Sequence, residues 1–145
     1  MKMEFHGGKE LEAALQELKL STRKSIARRV MKKALKPFIE RVQVLAPKRS
    51  SIMSKSYGIT SKLAPREKKK EGKLPESMVV MRAGTAVSRA VLQEFGTVRQ
   101  EARPHARPAW DETKHQVFDI VRTEMAVEVE KSVARARRKA ARAAK

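Results

Sequence analysis

Two linked pieces of sequence decide how this chain folds: Gln93-Glu94-Phe95-Gly96-Thr97, and, after a short spacer, Ala102-Arg103-Pro104-His105-Ala106-Arg107-Pro108-Ala109-Trp110-Asp111. An apolar segment, Ala86 to Phe95, runs into Gly96, a residue that permits a tight backbone change. A link with two prolines then delivers the chain into a long helical pattern. Proline is favoured at the first helical position, and Asp111 and Glu112 place negative charge near the positive end of the helix dipole. The segment therefore predicts a corner in which a strand end plants Phe95 in the core and a helix begins at Pro108. Ala, Arg and Gln are poor strand formers, which weighs against strand throughout 86–95. Glu94, Arg103 and Arg107 are expected to be exposed and to serve subunit contacts.

Towards the C-terminus, Trp110, Val117, Val121, Met125 and Val129 give the last helix its apolar side. Beyond Lys131 there is good helix propensity but no acid and little to bury. Residues 131–145 are therefore expected to be a basic Ala/Arg-rich extension that becomes ordered on a partner, with 1–130 as a single domain.

Towards the N-terminus, Met78 to Met81 reads as a strand, and Tyr57, Ile59 and Leu63 suggest another over Ser54 to Leu63. Between them, a loop at 65–76 is strongly cationic and predicted to be mobile. Pro47 closes a helical region in which Ile26, Val30, Ala34, Phe38, Val42 and Leu45 form one stripe. Pro37 within that stripe predicts a kink or two abutting helices, and Ser21 or Thr22 a helix cap. Leu11, Leu15 and Leu18 mark an earlier helix from Lys9, preceded by a short lead, Met1 to Gly8. The expected fold class is α+β: N-terminal helices and a long C-terminal helix packed on a small, mainly antiparallel sheet of three or four strands.

Composition restricts function. The 145 residues hold 34 Lys and Arg against 16 Asp and Glu, a formal net charge of +18, which favours polyanionic partners. Aromatics are 4% of the chain, too few for a single-strand stacking platform. Cysteine is absent, so disulfides and thiolate metal sites are excluded. No apolar run reaches bilayer length and no leader pattern is visible, so no membrane association and synthesis in the cytoplasm are expected. His6, His105 and His115 lie in separate segments without ligand spacing, and no nucleotide-binding or hydrolase motif is present. The reading is of a chain that is not an enzyme, with no metal and no cofactor. The basic residues Lys68, Lys69, Lys70 and Lys73 of the loop, and Arg135, Arg137, Arg138, Lys139 and Arg142 of the extension, are candidate contacts for DNA or an acidic partner; the alternative is a solvated surface.

The corner also resembles the small tail-component proteins of long-tailed phages, whose hallmark is E-F-G-T followed by A-R-P-[aromatic]-[aliphatic]-R-P-A. The matching residues are Glu94, Phe95, Gly96 and Thr97, then Ala102, Arg103, Pro104, Arg107, Pro108 and Ala109. Gly8-Lys9-Glu10-Leu11 is similar to the family's G-x-x-E-L opening, and Leu45-Ala46-Pro47-Lys48 to its A-P-[basic] helix exit. Where the family carries an aromatic-aliphatic pair this chain has His105-Ala106, which weakens the expected apolar anchor. The resemblance implies a structural virion protein: a tail-completion or head-tail joining component in the neck or upper tail. It further implies a homo-oligomeric, sixfold ring around the DNA channel that meets neck, tail-terminator or tail-tube proteins and touches DNA without reading sequence. The competing readings are a free basic DNA-binding protein, nucleoid-like or regulatory, which the charge supports, and a metal-dependent nuclease, for which no cluster of acids stands out.

Overall fold

The computed structural model describes residues 12–13, 15–16, 18–47, 51–62 and 75–143. The expected lead at 1–8, the start of the helix predicted from Lys9, and loop residues Lys68, Lys69, Lys70 and Lys73 lie outside them. Helix α1 spans Leu20–Ala34 and α2 Lys36–Leu45; α3 (Ser51–Ser56) leads into β1 (Gly58–Thr60). The chain continues through β2 (Arg82–Gly84) and α4 (Arg89–Phe95) to α5 (Ala106–Ala143), the longest element at 38 residues.

The core is made by helices. Along α1 and α2 the buried positions are Ile26, Val30, Ala34, Phe38 and Val42, followed by Ala46 just beyond α2, every fourth residue. Along α5 a matching run holds Ala109, Thr113, Val117, Val129 and Val133, with Val121 and Met125 half-buried between. The two runs face each other antiparallel. Arg29 pairs with Glu128, Lys33 with Glu124 and Arg41 with Glu112, so position rises on one side as it falls on the other.

A strict spacing of four advances about 40° around a helix at each step, so a straight partner would lose contact with the stripe. The α1–α2 join at Leu35, two residues before Pro37, interrupts the rod where this drift accumulates. It coincides with a division of the core. Ile26, Val30, Val129 and Val133 pack with Leu18 in one cluster, while Ala34, Phe38, Val42, Ala109 and Val117 belong to a larger one. The larger cluster also takes Ala46, Met53, Tyr57 and Ala90, bringing α3 and α4 onto the helix pair. Phe38 meets Trp110 edge-on, ring centres 5.7 Å apart.

The architecture is thus mixed helix and sheet, but among the described residues the sheet has two strands, not three or four. Gly58, Ile59 and Thr60 pair antiparallel with Gly84, Ala83 and Arg82. The strand expected from Ser54 is a helix up to Ser56, where the Ser56 hydroxyl donates to Met53 O at 2.7 Å and contacts the Thr85 hydroxyl. Met78 to Met81 is irregular, and pairing begins one residue later at Arg82. The segment before Gly96 is helical from Arg89, in keeping with its residue types. Neither Ser21 nor Thr22 caps α1; the helix starts after Lys19 with no side-chain cap bond. Pro37 marks two abutting helices, one of the two outcomes its position predicts. No helix is long and apolar enough among the described residues to cross a membrane.

Candidate functional site

The corner is where α4 ends and α5 begins. A helix start leaves its first N–H groups without intrahelical acceptors, and α5 begins at Ala106, two residues before Pro108. The acceptor is Glu94, in the last turn of α4. Its Oε2 takes the N–H of His105 (2.9 Å) and of Ala106 (3.0 Å), and its Oε1 takes the N–H of Arg107 (3.0 Å). Pro108 has no N–H to satisfy, and the Ala109 N–H returns to His105 O at 3.2 Å, closing the first turn. One carboxylate from a neighbouring helix thus supplies the whole N-terminal cap, and the proline removes the donor it could not reach.

This geometry corrects the expected exposure of Glu94: the residue is buried, at 8% of its full accessible surface. Burial pushes its carboxyl pKa upward, but the three backbone N–H groups and the nearby His105 outweigh it and hold the group below its ordinary value. The ion stays charged at neutral pH and complements the positive end of the α5 dipole.

His105 lies on the other side of the carboxylate and is 2% exposed. Its Nδ1 faces the Arg103 carbonyl and the Glu94 carboxylate, both at 3.4 Å and both acceptors, so the ring proton belongs on Nδ1. Nε2 then accepts from the Tyr57 hydroxyl at 2.5 Å. Burial, followed by the charge of Glu94, raises the Tyr57 pKa. The position that the sequence comparison marks as a weakened anchor is therefore occupied: His105 fills it, and its polar atoms are satisfied by Tyr57 from the other side of the core.

The remaining hallmark residues shape the turn between the helices. Gly96 has φ 75° and ψ −178°, a conformation essentially confined to glycine. A Cβ there would come within 2.9 Å of Ala102 N and 3.0 Å of Gln100 O, both main-chain atoms. Thr97 and Gln100 exchange backbone hydrogen bonds across a tight turn, and the Arg103 N–H donates to Gln93 O at 2.8 Å. Pro104 is exposed and Pro108 half-buried.

Phe95 is not in the core. It is 65% exposed, with the Arg107 guanidinium 4.6 Å above its ring. Being helical, α4 turns Phe95 away from the side on which Glu94 and Ala90 are buried. Val91, Leu92 and Val98 are exposed with it, and Arg103 and Arg107 are exposed as expected.

No family model, curated protein or solved structure matches this chain. Chemistry at the corner must therefore be judged from its geometry. A buried phenol–imidazole–carboxylate chain has the parts of an acid–base relay, but a relay needs a substrate cavity within hydrogen-bond reach. Three clefts among the described residues lie elsewhere, lined by neither Tyr57, Glu94 nor His105. Nor is there, among the described residues, a group of three His, Cys, Asp or Glu side chains able to hold a metal. His115 is exposed on α5, ten residues beyond His105. The corner sets the angle of α5 and presents an apolar-cationic edge.

The basic candidates divide differently. Arg135, Arg137, Arg138, Lys139 and Arg142 lie exposed on α5, which continues past Lys131 without interruption. The helix is ordered there against its own chain, since Val133 packs with Leu18, Ile26 and Val30. The helix crosses position 131 without a break.

Proposed function

We propose that this chain is a structural component of a tailed-phage particle, a tail-completion or head-tail joining protein that assembles as a ring at the head-proximal end of the tail around the DNA channel. The observation that carries the reading is the interdependence of the two halves of the hallmark. Glu94, from the first half, holds the main chain at the start of the second half, and Gly96 provides the backbone path between them. Residues so coupled must be kept together for the corner to form. Their joint occurrence in this chain is thus a single physical feature, stronger support than two short matches.

The exposed edge of the corner gives the ring a contact surface. Val91, Leu92, Phe95 and Val98 form an apolar strip beside Arg103 and Arg107, which suits a neighbouring subunit or neck protein. Rings of this kind need no catalytic group, and the reading assigns none.

The test is mass spectrometry of purified particles together with electron microscopy of the isolated protein. The reading expects the protein in virions at a fixed copy number, and closed rings with sixfold symmetry. A protein absent from virions that acts without any particle would instead be the free DNA-binding protein that the net charge of +18 favours.

A further inference from the structure

At the end of the helix pair remote from the corner, α1 and α5 enclose an open cleft of about 770 Å³. Its lining is unusual in chemistry. Four cations face it, Lys19 and Arg29 from the α1 side and Arg135 and Lys139 from α5, together with the hydroxyl residues Ser21, Thr22, Ser25 and Ser132. Leu18, Ile26 and Ala136 supply the apolar remainder, and no carboxylate is present among the described lining residues. On α5 the contributors Ser132, Arg135, Ala136 and Lys139 lie at successive helical spacings of three, one and three, which makes them one face.

Several cations elsewhere on the hairpin are paired with carboxylates: Lys33 with Glu124, Arg41 with Glu112, Lys114 with Asp111. In the cleft only Arg29 has such a partner, Glu128 at 2.8 Å; Lys19, Arg135 and Lys139 have none among the described residues. A second, smaller hollow adjoins it. Arg29 lines both, and the second is completed by Arg28, Lys32 and Lys62, by Thr60 and Ser61, and by the apolar Ile59 and Met81. Again no acid is among its described lining residues. The two hollows form a cationic band running from the end of α5, across α1, to the end of β1.

We infer that this band is a sequence-independent binding surface for the phosphodiester backbone of duplex DNA, with phosphates seated first in the α1–α5 cleft. Lysine and arginine supply the charge, and serine and threonine hydroxyls donate to phosphate oxygens, the mixture that backbone contacts use. No carboxylate is among the described lining residues, although Arg29 is shared with Glu128, so the repulsion opposing a polyanion is reduced. A band, in contrast to a closed pocket, suits an extended chain of phosphates more than one small anion. The surface names the nucleic-acid contact of the ring reading. It rests on that reading only for which DNA is met in the particle, since the chemistry is independent of where the protein resides.

The experiment is fluorescence anisotropy of a labelled 30-base-pair duplex titrated with the full chain at several salt concentrations, for wild type and for the double variant Arg135→Gln/Lys139→Gln. The expected result is at least about tenfold weaker binding, and a log–log salt slope shallower by about one unit per cation removed. A variant of equal charge change outside the band, Arg89→Gln/Arg122→Gln, should retain the wild-type slope to within about half a unit; circular dichroism melts confirm that both are folded. Equal losses in the two variants would reduce the effect to net charge and overturn the proposal. So would inorganic phosphate displacing the duplex at matched phosphate concentration, which would indicate a small-anion site. Wild-type duplex binding by the band variant, with failure to join an acidic protein surface, would reassign the band to a protein partner. A virion protein with an inert band defeats this inference and leaves the ring reading standing; a DNA-binding band in a protein absent from virions does the reverse.

Discussion

The two ends of α5 are built on opposite principles. At the N-terminal end a buried carboxylate meets every available backbone donor, a histidine fills the adjoining space with its polar atoms satisfied, and a glycine is required by the backbone path. At the C-terminal end the same helix carries Arg135 and Lys139, neither with an acidic partner among the described residues, over a small core of Leu18, Ile26, Val30, Val129 and Val133. The first end is over-determined, so a change there is felt as lost stability. The second is under-compensated, so a change there is felt as altered affinity. A single long helix can thus join a rigid joint to a charged arm, and the comparison can be broken by showing that either end behaves like the other.

The sharpest test is at the joint. Gly96→Ala introduces a Cβ into main-chain atoms at 2.9 and 3.0 Å in a conformation closed to alanine, and a loss of about 3 kcal/mol is expected, roughly 10 °C in Tm. Glu94→Ala leaves the N–H groups of His105, Ala106 and Arg107 without their acceptor in a buried site, and a similar loss, about 3 kcal/mol by urea unfolding, is expected. If either variant melts with the wild type, the joint is not over-determined.

The same carboxylate predicts a pH dependence. Its pKa is lowered in the folded protein, so its contribution is present in full above the ordinary carboxylate value of 4.5 and is lost as pH falls through the lower folded value. Wild type should therefore lose stability relative to Glu94→Gln on acidification from pH 6 to 3. A constant difference between the two over that range would show that the charge of Glu94 contributes nothing.

The far end sharpens the comparison by a smaller effect. Val129 is fully buried, and Val129→Ala should cost about 2 kcal/mol. Ending the chain at Lys131 removes Val133 from the same cluster and should cost a comparable amount, where composition alone suggested that the fold would be spared. An unchanged urea midpoint on truncation would return residues 132–143 to the status of an appendage.

These contrasts also explain what was legible in the sequence. The stripe from Ile26 to Val42 and the apolar side of α5 were readable because burial follows a period that depends only on helix geometry. The importance of the corner was readable for the same local reason: glycine and proline have few conformations in which they are needed. The partners of the corner residues were not readable. Glu94 and Phe95 diverge in a strand and in a helix alike, and apolarity favoured Phe95 for the buried side; in the structure the buried side is the helical face that Glu94 shares with Ala90, four residues earlier. His105 looked like a lost apolar anchor because its partner, Tyr57, lies 48 residues away and becomes its neighbour only through tertiary packing. The cationic cleft was half visible: the basic face of α5 was apparent, but its opposition to Lys19 and Arg29 required the antiparallel pairing of α1 with α5.

Phe95 gives the smallest stability effect and the clearest separation of joint from surface. Read as a core residue, its replacement by alanine would cost about 3 to 5 kcal/mol. Its ring is 65% exposed, with the Arg107 guanidinium 4.6 Å from its centre, so Phe95→Ala should lower stability by no more than about 1 kcal/mol. Its consequence should appear in association, because Phe95 shares an exposed strip with Val91, Leu92 and Val98. Analytical ultracentrifugation of Phe95→Ala at matched concentration should show the ring population falling while the melting curve stays near that of wild type. If the melt collapses, Phe95 belongs to the joint after all. If rings form undiminished, the apolar strip is not the surface through which subunits meet.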